Sequence, residues 1–110
     1  MTKNLIQKSL QKAYSYNDYR KLVKLLISSG KSTTKSENDA LFEFSKLNDK
    51  RMDRLDKTLK VTNETMLSLQ QLKEPVTLLV ISEGWCGDAA QIVPMVNKIA
   101  DSSDYISIKI

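Results

Sequence analysis

With 110 residues, 41% of them hydrophobic, the chain has enough apolar material for one folded domain and lacks the composition of a disordered segment. Its net charge of +4 hides two unlike parts: residues 1–60 carry 14 Lys/Arg against 7 Asp/Glu, a balance of +7, and residues 61–110 carry 3 against 6, a balance of −3. No signal-peptide core and no apolar stretch of membrane-spanning length occurs, and a single cysteine excludes an internal disulfide, so a soluble protein of the reducing cytoplasm is expected.

Three or four helices are expected within residues 1–73. The first thirteen residues set Lys3, Lys8 and Lys12 among Leu5, Ile6 and Leu10. Asn17 or Asp18 can then cap a helix in which Tyr19, Leu22, Val23 and Leu26 share a face, ending at Gly30. Residues 31–35, with Ser32, Thr33 and Thr34, read as a polar loop. Ser36 is a candidate cap for a longer helix reaching about Lys60, with Leu41, Phe44, Met52, Leu55 and Leu59 along one stripe that the polar Asn48 interrupts. Asp53 with Lys57, and Asp56 with Lys60, stand four apart with the acid first, the favourable order for exposed pairs. Thr62 or Asn63 caps a shorter helix carrying Met66, Leu69 and Leu72, which Glu74-Pro75 should stop. The basic excess suits an anionic partner in principle. No basic cluster is interleaved with stacking aromatics, however, so the charges read as solvated helix faces, and neither nucleic acid nor a membrane is expected as a partner.

The period changes after Pro75. Val76 to Ile81 is a nearly continuous apolar run, as in a strand buried on both faces of a parallel sheet. Helical spacing returns with Ile92, Met95, Val96 and Ile99, and after the polar turn at residues 101–104 Ile106, Ile108 and Ile110 alternate with Ser107 and Lys109. The pattern is one βαβ unit, whose strands should be parallel.

The only cysteine, Cys86, falls at the strand-to-helix junction of that unit, within Gly84-Trp85-Cys86-Gly87-Asp88-Ala89. A helix N-terminus offers unpaired N–H donors and the positive end of a dipole, both favouring a negative sulfur. The local acids Glu74, Glu83 and Asp88 oppose this, and no basic residue lies between Lys73 and Lys98. Only moderate activation is therefore expected unless Arg51, Arg54 or another cation is brought near Cys86. Trp85 suits either a core position or the lining of a binding surface. A metal site built on Cys86, Glu83 and Asp88 would lack both a histidine and a second thiol, and the three glycines form no phosphate loop, so no metal and no cofactor is expected.

Trp85-Cys86-Gly87, with Pro94 eight residues after the cysteine and strand patterns on either side, resembles the active-site strand, loop and helix of the thioredoxin-like family. The resemblance covers residues 74–110, and residues 48–58 resemble a subgroup with an N-terminal helical extension. It implies an α/β fold: a helical extension over residues 1–73, then a partial thioredoxin-like βαβ unit over residues 74–110 that is truncated C-terminally, leaving an apolar strand at an open edge. It further implies that Cys86 is the catalytic nucleophile, that Trp85, Gly87, Asp88 and Ala89 form the active-site loop, and that Pro94 is the structural helix proline. Three of the family's helpers are missing: the resolving cysteine is Ala89, the buried acid six residues before the nucleophile is Val80, and the cis-proline loop would lie beyond Ile110. What the resemblance leaves is at most monothiol redox chemistry through Cys86 with an external resolving thiol; the alternative is a non-enzymatic protein-interaction module. Expected partners are a protein disulfide or a low-molecular-weight thiol, with self-association through the open strand edge.

Overall fold

The structure is a computed structural model and describes residues 2–34 and 39–110. Among these residues five helices and two strands follow one another: α1 Lys3–Lys12, α2 Tyr16–Ser28, α3 Asp39–Thr58, α4 Asn63–Leu69, β1 Val76–Leu79, α5 Gly87–Asp101 and β2 Ile106–Lys109. No helix among them is long and apolar enough to cross a membrane.

Local chemistry sets the helix ends. Thr2, Ser15 and Thr62 cap α1, α2 and α4 by accepting backbone N–H bonds from Leu5, Asp18 and Thr65. The cap of α2 is thus Ser15, and Asp18, expected as a cap, sits in the first turn where its charge meets the helix dipole. At the other end of α2, Gly30 takes φ +74°, Gly30 N–H reaches Ile27 O at 3.0 Å and Lys31 N–H reaches Leu26 O at 2.7 Å, a Schellman closure that favours glycine. The cap expected at Ser36 lies outside the described residues. Helix α4 stops at Leu69, short of Leu72 and well before Pro75, because its last carbonyls are closed by a tight turn: Gln71 N–H meets Ser68 O and Leu72 N–H meets Leu69 O.

β1 and β2 pair in parallel, Val76 opposite Ile106 and Leu79 opposite Lys109, with α5 as the crossover. The ladder extends one residue further, Val80 N–H donating to Lys109 O at 2.8 Å. On the far side of β2, Tyr14 and Ile110 exchange both backbone bonds, at 2.6 and 2.8 Å, so the α1–α2 connection covers the end of that strand. β1 is not buried on both faces as its composition suggests. Its first half is exposed and Ile81 beyond it is 85% exposed; among the described residues β2 is its one strand partner.

The core gathers Tyr16, Tyr19 and Val23 of α2, Met52 of α3, Ala90, Val93 and Ala100 of α5, and Ile108 of β2, with Val80, Ala89, Val96, Ile106 and Ile110 packed against it. Each fully buried Val-sized side chain stabilises the fold by about 1.5–3 kcal/mol. The inward stripe of α3 is Ser45, Asn48 and Met52, while Phe44 is exposed. Two polar residues displace the expected apolar ones because each has a partner: Ser45 bonds Leu41 O, and Asn48 bonds the β1–α5 loop. The acids of α3 also turn inward. Asp49, Asp53 and Asp56 surround the buried guanidinium of Arg20 at 2.7, 2.7 and 3.8 Å, Lys24 joins Asp49 and Asp53, and Asp56 accepts the Tyr16 hydroxyl. Asp53 and Asp56 therefore pair across to α2, not with Lys57 and Lys60, because a fully desolvated Arg20 demands counter-charge more than an exposed lysine does.

Candidate functional site

The chain leaves β1, runs through Ser82-Glu83-Gly84-Trp85 and enters α5 with Cys86 as its N-cap. Cys86 has extended backbone geometry, φ −81° and ψ 116°, donates its N–H to Glu83 O at 3.1 Å and accepts from Ala90 N–H at 3.1 Å. No side chain caps the helix there, so the half-buried sulfur shares the start of α5 with N–H groups that lack an intrahelical partner. Gly87 and Asp88 are exposed, Ala89 is half-buried against the core, and Ala90 is fully buried. Pro94, two turns along α5, is fully buried and has no N–H to return to Ala90 O, so that one bond of the helix ladder is missing.

The loop is clamped by side chains of the helical region. Tyr19 of α2 and Ser82 share a hydroxyl hydrogen bond at 2.9 Å. Thr33, from the α2–α3 connection, donates to the Glu83 carboxylate and accepts the Gly84 N–H at 3.0 Å. Asn48 of α3, 2% exposed, donates to Gly84 O at 3.1 Å and accepts from Arg51 Nη1 at 3.2 Å. Both backbone groups of the buried Gly84 are thereby satisfied by side chains from outside the βαβ unit, meeting the requirement that buried polar groups be paired. Trp85 is half-buried, and its indole N–H is buried with no hydrogen-bond partner among the described residues.

The electrostatics follow from this packing. Burial raises the phenol of Tyr19 above its usual range; the Ser82 hydrogen bond works against that, and the nearby Glu83 carboxylate adds to it. Glu83, a local acid that argued against a thiolate, is tied to Thr33. Of the two arginines named as candidate cations, Arg51 borders the turn that carries Cys86: a methyl group at Gly87 would sit 4.0 Å from Arg51 Nη1. Arg54 is exposed. Among the described residues no group of three or more His, Cys, Asp or Glu is arranged to hold a metal ion.

The structure places Trp85, Cys86, Gly87, Asp88 and Ala89 on one continuous turn, with Pro94 beneath it in the helix. Sequence reasoning missed Tyr19, Thr33, Ser82 and the role of Asn48. The one visible sign was Asn48, a polar residue at the apolar phase of a helix, which requires a buried partner.

A parallel βαβ unit that presents a cysteine at the helix end, with a proline further along that helix, defines a class of thiol-active-site folds. A family model described as Thioredoxin matches residues 34–110, more than half of the chain, and the chain belongs to the thioredoxin family. Its partial α/β architecture is that of a thioredoxin-like, thiol–disulfide oxidoreductase-related domain, and the match takes in α3 and α4 as well as the βαβ unit. No curated protein and no solved structure matches the chain.

Proposed function

We propose that the protein carries out monothiol thiol–disulfide exchange through Cys86. The observation that supports this most directly is the placement of the sulfur at the uncapped N-terminus of α5, on a loop fixed by Tyr19, Thr33 and Asn48. In the first step the Cys86 thiolate attacks one sulfur of a disulfide; a new S–S bond forms to Cys86, the old one breaks, and the other half leaves as a thiolate. Ala89 has only a methyl group where a resolving thiol would stand, so an external thiol such as glutathione attacks the mixed disulfide and returns Cys86 to its reduced form. The overall exchange is redox-balanced, since each step makes one S–S bond and breaks one.

Partners are therefore a protein disulfide or a low-molecular-weight thiol, in a reducing compartment such as the cytoplasm, and the edge of β1 that has no strand partner among the described residues favours self-association. Incubation of the native protein with glutathione disulfide should give one adduct by mass spectrometry, located on Cys86, abolished in Cys86→Ser and removed by excess reduced glutathione. Ala89 itself favours a second reading, a non-enzymatic protein-interaction module built on the Trp85 loop, and absence of any adduct under native conditions would decide for it.

A further inference from the structure

We propose that Arg51 sets the charge of the partner that Cys86 accepts, selecting disulfides that carry a carboxylate close to the reacting sulfur. The proposal rests on the exchange chemistry assigned to Cys86 above. Its starting point is a contrast between two arginines. Arg20 is surrounded by three carboxylates within 3.8 Å, and Lys24 contacts two. Arg51 forms no ion pair among the described residues; its hydrogen-bond partner is the neutral amide oxygen of Asn48, at 3.2 Å.

A guanidinium has five donors in a planar fork that matches a carboxylate, and only Nη1 is engaged with Asn48. Asn48 is 2% exposed and its amide nitrogen is committed to Gly84 O, so the oxygen that holds Arg51 is itself held. The cation is thus oriented before any partner arrives, which lowers the ordering cost of binding. Its Nη1 lies 4.0 Å from the Cβ position of Gly87, beside the turn bearing the nucleophile. Of the acids on that turn, Glu83 is hydrogen-bonded to Thr33 and Asp88 is exposed in the first turn of α5 without an ion pair. An incoming carboxylate therefore meets an oriented guanidinium, without an ion pair among the described residues, beside the turn that carries Cys86.

The test compares rates of adduct formation on the full chain with three small disulfides: glutathione disulfide, which is anionic, hydroxyethyl disulfide, which is neutral, and cystamine, which is cationic. Each rate is divided by that of an unstructured cysteine peptide with the same reagent. Arg51→Met should lower the anionic-to-neutral ratio about fivefold, as expected for loss of one partly exposed charge contact; the ratio, unlike either rate, is independent of any change in the thiolate fraction of Cys86. Arg51→Lys should retain part of the ratio, and Arg51→Glu should invert the order of glutathione disulfide and cystamine. An equal ratio in the parent and in Arg51→Met overturns the proposal. Absence of reaction with hydroxyethyl disulfide would instead defeat the exchange reading itself. Should Arg51→Met fail to fold, the parent protein decides by salt: the ratio must fall as ionic strength rises, and a flat ratio overturns the assignment.

Discussion

Asn48 links two groups that are far apart in the chain, the carbonyl of Gly84 and the guanidinium of Arg51, and does so at 2% exposure. Replacing it with alanine strands a buried backbone carbonyl. Asn48→Ala should therefore lose about 1–3 kcal/mol in chemical denaturation, the usual cost of an orphaned buried acceptor. Asn48→Asp is a sharper probe, since a carboxylate cannot donate to Gly84 O; the loss should be at least as large as for alanine, and a neutral result would mean that the amide bond carries no stability. The two glycines behave differently. A Cβ at Gly84 would meet Thr33 Cγ2 at 3.5 Å and Val23 Cγ2 at 3.6 Å, ordinary van der Waals contacts, so Gly84→Ala should leave the melting temperature nearly unchanged. Gly30 has open space around it but φ +74°, and Gly30→Ala should cost about 1 kcal/mol through the left-handed backbone alone. A melt in which Gly84→Ala is the more damaging of the pair would show that crowding, not backbone geometry, limits these positions.

At the scale of elements, α2 and α3 are joined by charge as much as by apolar contact. Burial on its own would lower the Arg20 guanidinium's pKa, but Asp49 and Asp53 outweigh it and hold the group charged. Removing that cation leaves three carboxylates facing one another between the helices, and Arg20→Met should destabilise by about 3 kcal/mol, as breaking a buried pair does. Lys24→Met, on the half-exposed side of the same cluster, should cost less than about 1 kcal/mol. The cluster also makes stability depend on pH. Partial burial would raise the Asp53 carboxyl, yet hydrogen bonds and charge from Lys24 and Arg20 hold it below its ordinary 3.8, so its contribution is present above that value and is lost as pH falls through the depressed one. Lys24 is the opposite case: Asp53 and Asp49 overcome its partial burial and raise it above 10.5, so its contribution is complete below that pH and disappears as pH rises past it. Denaturation midpoints measured across the acid range should drop below 3.8 in the parent more steeply than in Asp53→Asn, and identical profiles would remove Asp53 from the account.

For the molecule as a whole, the parts legible in the sequence were those governed by local period and capping. β1, α5 and β2 followed from an apolar run, a helical spacing and an alternation, and Cys86 at their first junction followed from those boundaries. The rest depended on contacts distant in sequence. Nothing near Thr33 tells that it will meet Gly84, 51 residues away, and nothing near Tyr19 tells that it will meet Ser82, 63 residues away. Asn48 and Ser45 took the inward face of α3 because their partners were supplied by the fold, so of the expected apolar stripe Met52 reaches the core while Phe44 faces solvent. The same long-range contacts bear on whether residues 74–110 can stand alone. In the chain they use Tyr16, Tyr19, Val23 and Met52 as the other half of their core, and Thr33 and Asn48 to satisfy their active-site loop. A segment below about 40 residues seldom buries enough surface to fold without a disulfide, a metal or a partner chain. A peptide of residues 74–110 should accordingly show no cooperative melt and no tertiary signal from Trp85, and its Cys86 should react with disulfides of either charge at the rates of an unstructured thiol. Adding residues 1–73 as a separate polypeptide should restore the Trp85 signal if the two pieces reassemble the shared core. A cooperative transition in the isolated peptide would show instead that the βαβ unit carries its own stability, and that the helices serve the Cys86 loop without being needed to form it.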